Sequence, residues 1–592
     1  MGSHLTVGLF ALVGAVVLGL TACGQDDGDA GGSTAGSGGT GVAGSGGSGG
    51  TGDAGDGGTG QGGIGGASGG GASGGGAGSP PVYHPECDDL PPTKVIGNWD
   101  IVPHQRFDGT FEVGVVGFHE RGLDVVFTVD NAEVARVEDP TLNPRTGVYE
   151  YWVALEASDY ADGAVTVGAT LEPDCAGHLA RELEPLVLYA DAGGSLVNGA
   201  VRWVDCGLGD DASGDGSEGS PYQTIEKALT EVGTGGTVQL KAGDCYVLTT
   251  DLPSAAFDRW TTVRAAPGVD RSEVTILAEG PGSTGRFGEN FIRWANVQIV
   301  KDVEPGYSTL FYMESGDSVW FDGAELIDAR GQWNGGQVMG GNSPYAAFFT
   351  DTIVRDFQNA QLGFNRHVTI ENLGSDALRG HSGLMSIGLT VTAIDSGDTD
   401  AHPDFLQFYN PDGVAENLVV YGASVYNMGA QGIFGGPGQI RDVAIVNLLM
   451  EKDPPDSALI SQITGDWDHV LFWHVTTVDA GMMLREPDGQ RNFFIQNSLW
   501  ATLSAGEAVE LPGFTIDHNH VASLTWQQSE PMGTNASVGD PLFVDDSTDD
   551  YRLQSESPAA GAGVPLPGVP ADINGTWYDA DAPSMGAFEL TH

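Results

Sequence analysis

Pairs of apolar residues separated by a single residue recur along the second half of the chain, and they constrain its fold more than any other feature. They are Val368 and Ile370, Leu389 and Val391, Leu418 and Val420, Val443 and Ile445, Val470 and Phe472, and Phe493 and Ile495. Successive pairs start 21, 29, 25, 27 and 23 residues apart. Apolar residues two apart mark a strand that buries one face. Strands repeating at so loose a period suit a solenoid, whose loops change length while the stacked strands keep register. The Val, Ile and Leu bias is that of a parallel sheet closed over a core.

Both ends of such a stack need covering, because an open coil exposes core and unpaired backbone. Val201-Arg202-Trp203-Val204-Asp205, an acidic Gly-rich turn and Pro221-Tyr222-Gln223-Thr224-Ile225 lead into an amphipathic segment. Thr224 is placed as an N-cap, with Ile225, Ala228, Leu229 and Val232 on one helical face. Gly235 to Gly243 then returns to strand. At the other end stand Asp540-Pro541-Leu542-Phe543, Tyr551-Arg552-Leu553, Ser557-Pro558-Ala559, Gly561-Ala562-Gly563 and Gly586-Ala587-Phe588-Glu589. This order resembles the opening and closing segments of right-handed parallel β-helix proteins of the pectin-lyase-like superfamily, and the β-helix is expected over residues 196–592. The resemblance implies an extracellular polysaccharide or glycan as partner. The superfamily holds polysaccharide lyases, glycoside hydrolases, epimerases and non-catalytic adhesins, with sites on the outer face of stacked strands.

Three other textures precede this region. Residues 80–195 alternate apolar and polar positions in short runs, such as Phe111 to Val115, Val125 to Val129, Tyr149 to Leu155, Ala164 to Val167 and Leu186 to Tyr189. With Asp108-Gly109 and Asp162-Gly163 as turns, they read as an antiparallel β-sandwich resembling Ig-like modules, expected to act as a spacer. Residues 24–79 are almost all Gly, Ser, Ala, Thr and Asp and are expected to form a disordered tether reaching roughly 40 Å. Leu5 to Leu20 is an uncharged apolar run too short for a comfortable membrane span, ending in Leu20-Thr21-Ala22-Cys23. That sequence resembles a bacterial lipobox, which implies cleavage before Cys23 and its acylation. Gly24 follows the cysteine, and the resemblance then favours the outer membrane or cell surface.

Cysteine use agrees with export. Cys87, Cys175, Cys206 and Cys245 permit three pairings, and the segment boundaries favour Cys87 with Cys175 and Cys206 with Cys245. Acidic residues outnumber basic ones 80 to 24, for a net charge of −56. Such a chain repels nucleic acid, and a monomer is expected. No zinc-type Cys/His spacing, phosphate loop or nucleophile motif stands out.

Aligning the repeats brings out a second strand column: Asp376-Ala377-Leu378-Arg379, Asp404-Phe405-Leu406-Gln407, Gln431-Gly432-Ile433-Phe434, Ser457-Ala458-Leu459-Ile460 and Ala480-Gly481-Met482-Met483. Stacking at about 4.8 Å sets Asp376 beside Asp404 and Arg379 beside Gln407, with polarity fading towards Met483. His381 and His402 flank the pair, and Asp395, Asp398 and Asp400 crowd the preceding turn. Two adjacent carboxylates repel, so either one keeps its proton or a cation such as Ca²⁺ sits among the acids. The first suits a general acid with a general base, catalytic candidates being Asp376, Arg379, His381, His402, Asp404 and Gln407. Gln431, Phe434, Tyr409 and Trp333 are candidates for holding sugar. A ladder of side-chain hydrogen bonds is the structural alternative, and a non-catalytic adhesin the functional one. The five lysines lie outside the cluster, and Gly380-His381-Ser382 lacks the Arg-x-Lys that accompanies Gly-His-Gly in polygalacturonases. Trp467-Asp468-His469 falls before Val470, apart from the cluster.

Overall fold

Antiparallel strands come first in the chain. Ile96–Trp99, Thr110–Phe118, Tyr149–Glu156 and Thr141–Leu142 pair in that order as one sheet. The facing sheet runs Arg106–Phe107, Leu186–Ala190, Gly163–Pro173, Leu123–Val129 and Ala132–Val137, with Arg181–Glu182 also on Gly163–Pro173. Arg106–Phe107 joins in parallel and the other pairs are antiparallel. Phe111, Val113, Val165, Val167 and Leu188 fill one half of the interior, and Val115, Val125, Phe127 and Leu171 the other. Cys87 and Cys175 are bonded, with Cα atoms 5.5 Å apart.

The computed structural model describes residues 85–87 and 91–590, except 197, 249–256, 280–290, 302–307, 314–317, 342–346, 396, 398–402, 409–412, 437, 453–460, 486–488, 506–512 and 523–532. The export segment, Cys23 and the Gly/Ser tract therefore lie outside the described residues.

From Val201 the chain winds into a right-handed parallel β-helix, whose largest sheet links 23 strands from Val201–Val204 to Ser537–Val538. The helix Ile225–Val232 closes the first coil. The Thr224 hydroxyl accepts the Lys227 N–H, and Ile225, Ala228, Leu229 and Val232 are its buried face. Cys206 is bonded to Cys245 beside this cap. Further along, Val420, Ile445, Phe472 and Ile495 stack in register as the alternation requires. The first two apolar pairs belong to a neighbouring column, however. Ile370 and Val391 lead to Val425, whereas Phe364 and Met385 stack under Val419. The long strand Val414–Val425 carries both columns, so its alternation alone did not reveal where the coil bends.

From the strand Ile292–Ala295 onward, each bend between these columns is made by one left-handed residue, a glycine in some coils. Asn296, Asp351, His367, Asn447, His474 and Asn497 all have φ between 51° and 53°. Asn, Asp and, less often, His tolerate that region, so the chain turns there without a long loop. A second left-handed column, Asn417, Asp442, His469 and Asn492, marks a bulge within the long strands.

Sandwich and β-helix belong to one compact unit, Gly78–His592. In Thr110–Phe118 the simple alternation fails after Gly114, because both faces are buried there. Val113 and Val115 point into the sandwich, while Val116 and Phe118 pack with Ile96 against Trp320, Phe364, Val419, Leu471 and Trp473 on the outside of the coils. The expected spacer is thus a lid over an apolar outer face of the solenoid. Polar contacts come from the second left-handed column. Asn417 bonds Gly97 and Asn98, and Asp442 bonds Arg181 at 2.5 Å. The closing segment also folds back onto the coils, with Tyr578 stacked on His474 at 4.0 Å and its hydroxyl donating to Asn447.

Candidate active site

A six-stranded parallel sheet forms another wall of the β-helix: Leu378–Arg379, Leu406–Phe408, Ile433–Gly435, Ser461–Ile463, Gly481–Leu484 and Thr502–Ala505. Its register pairs Leu378 with Leu406 and Arg379 with Gln407, then Leu406 with Ile433 and Gln407 with Phe434, as the column alignment predicts. The next coil departs from that alignment. Gln462, not Ile460, stands beside Phe434, and Ser461, not Leu459, stacks on Met482. Ser457 to Ile460 lie outside the described residues. The variable loop before Ser461 hid the correct register.

Period-two geometry sorts the side chains. Leu378, Leu406, Ile433, Ser461 and Met482 are buried, and Arg379, Gln407, Phe434, Gln462 and Met483 form a half-buried outer row. Polarity does not fade to apolar as expected, because Gln462 continues it, with Arg485 donating to its Oε1 at 2.7 Å. Both were missed. Ser461 sets a polar residue at a buried position, so Ser461-Gln462-Ile463 offers no apolar alternation that reveals the register.

Asp376 and Asp404 come together just before their strands. Asp376 Oδ1 accepts the Asp404 backbone N–H at 3.2 Å, and Asn359 Oδ1 accepts the Asp376 N–H at 3.0 Å. Each side chain thus caps the amide of the following coil. Ser375 donates to Asp376 Oδ1, and Gln407 Nε2 donates to Asp404 Oδ2 at 3.1 Å. The pair is not on an open outer face: Asp376 is 6% exposed and Asp404 0%. Burial, then the neighbouring Asp404 charge, pushes the Asp376 carboxyl up to about 7. His381 lies just past the strand. Burial, followed by the Arg379 charge, lowers it to about 4, so it is neutral at pH 7. Gln431 is buried one coil further on, and its Oε1 meets no hydrogen-bond donor among the described residues.

The remaining predicted residues separate. Trp333 is 55% exposed and donates from its indole to the Asp395 carbonyl at 3.0 Å, its ring lying against Gly397. Asp395 Oδ1 accepts the Gly397 N–H. His402, Tyr409, Asp398 and Asp400 lie outside the described residues. Of the three acids expected to hold calcium, only Asp395 lies among the described residues. Of Trp467-Asp468-His469, Trp467 is a core side chain, while His469 serves the contact with the sandwich.

No family model matches the chain, and no curated protein matches it. Among solved structures it is similar to a pectate lyase, at 14% identity over 67% of this chain and 98% of that one, TM-score 0.28. A rhamnogalacturonan lyase shares 12% identity over 65% and 96%, TM-score 0.29. The A-module of a mannuronan C-5 epimerase from Azotobacter vinelandii shares 11% over 54% and 93%, TM-score 0.29. No residue of this chain takes a role from these likenesses.

Proposed function

We propose that the chain is a surface lipoprotein whose β-helix cleaves an extracellular polysaccharide by acid–base chemistry at Asp376 and Asp404. Arg379, Gln407 and Phe434 would hold the sugar, with Gln431, Trp333 and Tyr409 as further contacts and Cys23 and the tether as the outer-membrane anchor. The carboxylate pair carries this reading. A group titrating near 7 can give or take a proton at working pH, and burial, then the neighbouring Asp404 carboxylate, holds it there. In hydrolysis, Asp376 hands its proton to the departing sugar oxygen while ionised Asp404 takes one from the water whose oxygen bonds to the sugar carbon. In β-elimination, ionised Asp376 takes the proton beside a sugar carboxylate that Arg379 neutralises, a carbon–carbon double bond forms, and the glycosidic oxygen leaves with a proton from water. His381 and His402 stand as auxiliary groups.

A second reading, a non-catalytic glycan-binding β-helix, is favoured by the hydrogen-bond ladder from Asn359 to Asp404 and by the burial of both acids. Residues 80–592 incubated with a polysaccharide panel separate the two readings. New reducing ends or unsaturated, ultraviolet-absorbing products are expected. Asp404→Asn should abolish them in a protein that still melts cooperatively, whereas full turnover by that variant places the chemistry elsewhere. Binding without any product supports the adhesin. Calcium through Asp395, Asp398 and Asp400 belongs to the same proposal, and activity unchanged by a chelator removes it.

A further inference from the structure

A buried row of charges crosses from the sandwich to the coils. In the second left-handed column, the bulge that aims Asn417 and Asp442 at the sandwich also aims His469 at it. His469, in the strand Asp466–Val478, is 2% exposed, and each of its ring nitrogens faces a carboxylate oxygen. Nδ1 lies 3.0 Å from Asp442 Oδ1 in the neighbouring strand Gln439–Glu451, and Nε2 lies 3.0 Å from Glu120 Oε2 on the sandwich. A neutral imidazole donates from one nitrogen only and would turn a lone pair on the other carboxylate. Only the imidazolium satisfies both contacts at once. The row continues at each end. Arg181 Nη2 donates to Asp442 Oδ2 at 2.5 Å, and the Thr93 hydroxyl donates to Glu120 Oε1. Arg181, Asp442, His469 and Glu120 thus alternate in sign and sum to zero, as buried charges must.

We propose that His469 is a permanent imidazolium clamping the sandwich to the coils, and that its loss of a proton in alkali weakens their docking. The other groups around it do not supply this charge. The Arg121 amide donates to His119 Nδ1, which leaves the His119 proton on Nε2, and burial above all lowers His119 to about 4. The Thr93 amide donates to His178 Nδ1 in the same way. Phe494 adds an uncharged ring at 6.3 Å, while Arg121 acts on His119 and Glu416 on Arg181. Burial opposes the His469 charge, but the hydrogen bonds to Asp442 and Glu120 outweigh it and raise His469 to about 9. Burial likewise opposes the Glu120 charge, and His469 holds that carboxyl below the usual range. The folded chain binds the His469 proton more tightly than the unfolded one. Its stabilisation is therefore fully present below pH 6.5 and is lost as pH rises through 9. Deprotonation leaves two buried carboxylates against one arginine. Glu120 stands two residues after Phe118, and His469 two before Leu471, both in the apolar contact between sandwich and coils.

The full chain labelled with carbon-13 at histidine Cε1 reads this charge by NMR. One resonance should hold the imidazolium position at pH 8, titrate near 9 and vanish in His469→Asn, a replacement that suits the left-handed backbone. Urea melts from pH 6.5 to 9.5 should show the folding constant of the unaltered chain falling against that variant, by at most about tenfold per pH unit and about 300-fold in all. If His469→Asn does not fold, Asp442→Asn takes its place. With one carboxylate fewer, the midpoint of the same resonance should drop by at least about one pH unit. A chain whose histidines are all neutral at pH 8 overturns the proposal. So does a midpoint unmoved in Asp442→Asn, or a stability difference from His469→Asn that stays constant across the pH range.

Discussion

Asp376 shows how one carboxyl can be a structural cap and a chemical group at once. Its Oδ1 holds the Asp404 amide, and Asn would do this equally well, so Asp376→Asn should fold. The folded state binds the Asp376 proton more tightly than the unfolded chain does, because its pKa is raised from 3.8 to about 7. That contribution is fully present below pH 3.8 and is lost as pH rises through 7. Urea melts between pH 4 and 8 should therefore show the unaltered chain losing stability against Asp376→Asn, at up to about 1.4 kcal/mol per pH unit. A constant difference across that range would remove the perturbed carboxyl. In activity, a limb near pH 7 should vanish in Asp376→Asn, together with at least ~100-fold of the rate.

The cap helix is the element on which the open end of the stack depends. Thr224 satisfies one of its free amides, so Thr224→Ala should cost about 1 kcal/mol in a denaturant melt. The bond from Cys206 to Cys245 spans 39 residues and ties the cap to the second coil. By the loop-entropy argument, replacing both cysteines with serine should cost about 3–4 kcal/mol and show first as faster proteolysis between residues 205 and 245. Equal protease resistance would mean that the cap is held by its apolar face alone.

At the scale of the molecule, the sandwich and the β-helix bury one another. Trp320, Phe364, Met385, Tyr421 and Trp473 look outward from the coils, yet all are buried beneath Ile96, Val102 and Phe118 or the closing segment. Residues 196–592 produced alone should expose this apolar face and bind a hydrophobic dye or aggregate, while residues 80–592 should do neither. A soluble, dye-silent β-helix would show that the contact is dispensable. Whole-cell fractionation addresses the anchor: Cys23→Ser should release the protein from membranes, and unchanged membrane retention would exclude the lipobox reading.

Period-two alternation and the cap motif are local properties, and they carry the class of fold, the cap helix and the neighbouring of Asp376 with Asp404. Residue spacing within one or two coils was enough, because parallel strands stack at a constant rise. Register across the loop before Ser461 was not legible, since loop length is free in a solenoid, and Gln462 was missed with it. Nor could alternation tell that Val116 and Phe118 leave the sandwich core for the coils. His119 and Glu120 meet His469 across as many as 350 positions of chain. That meeting follows from the sandwich docking against an outer apolar face, a contact no local pattern encodes.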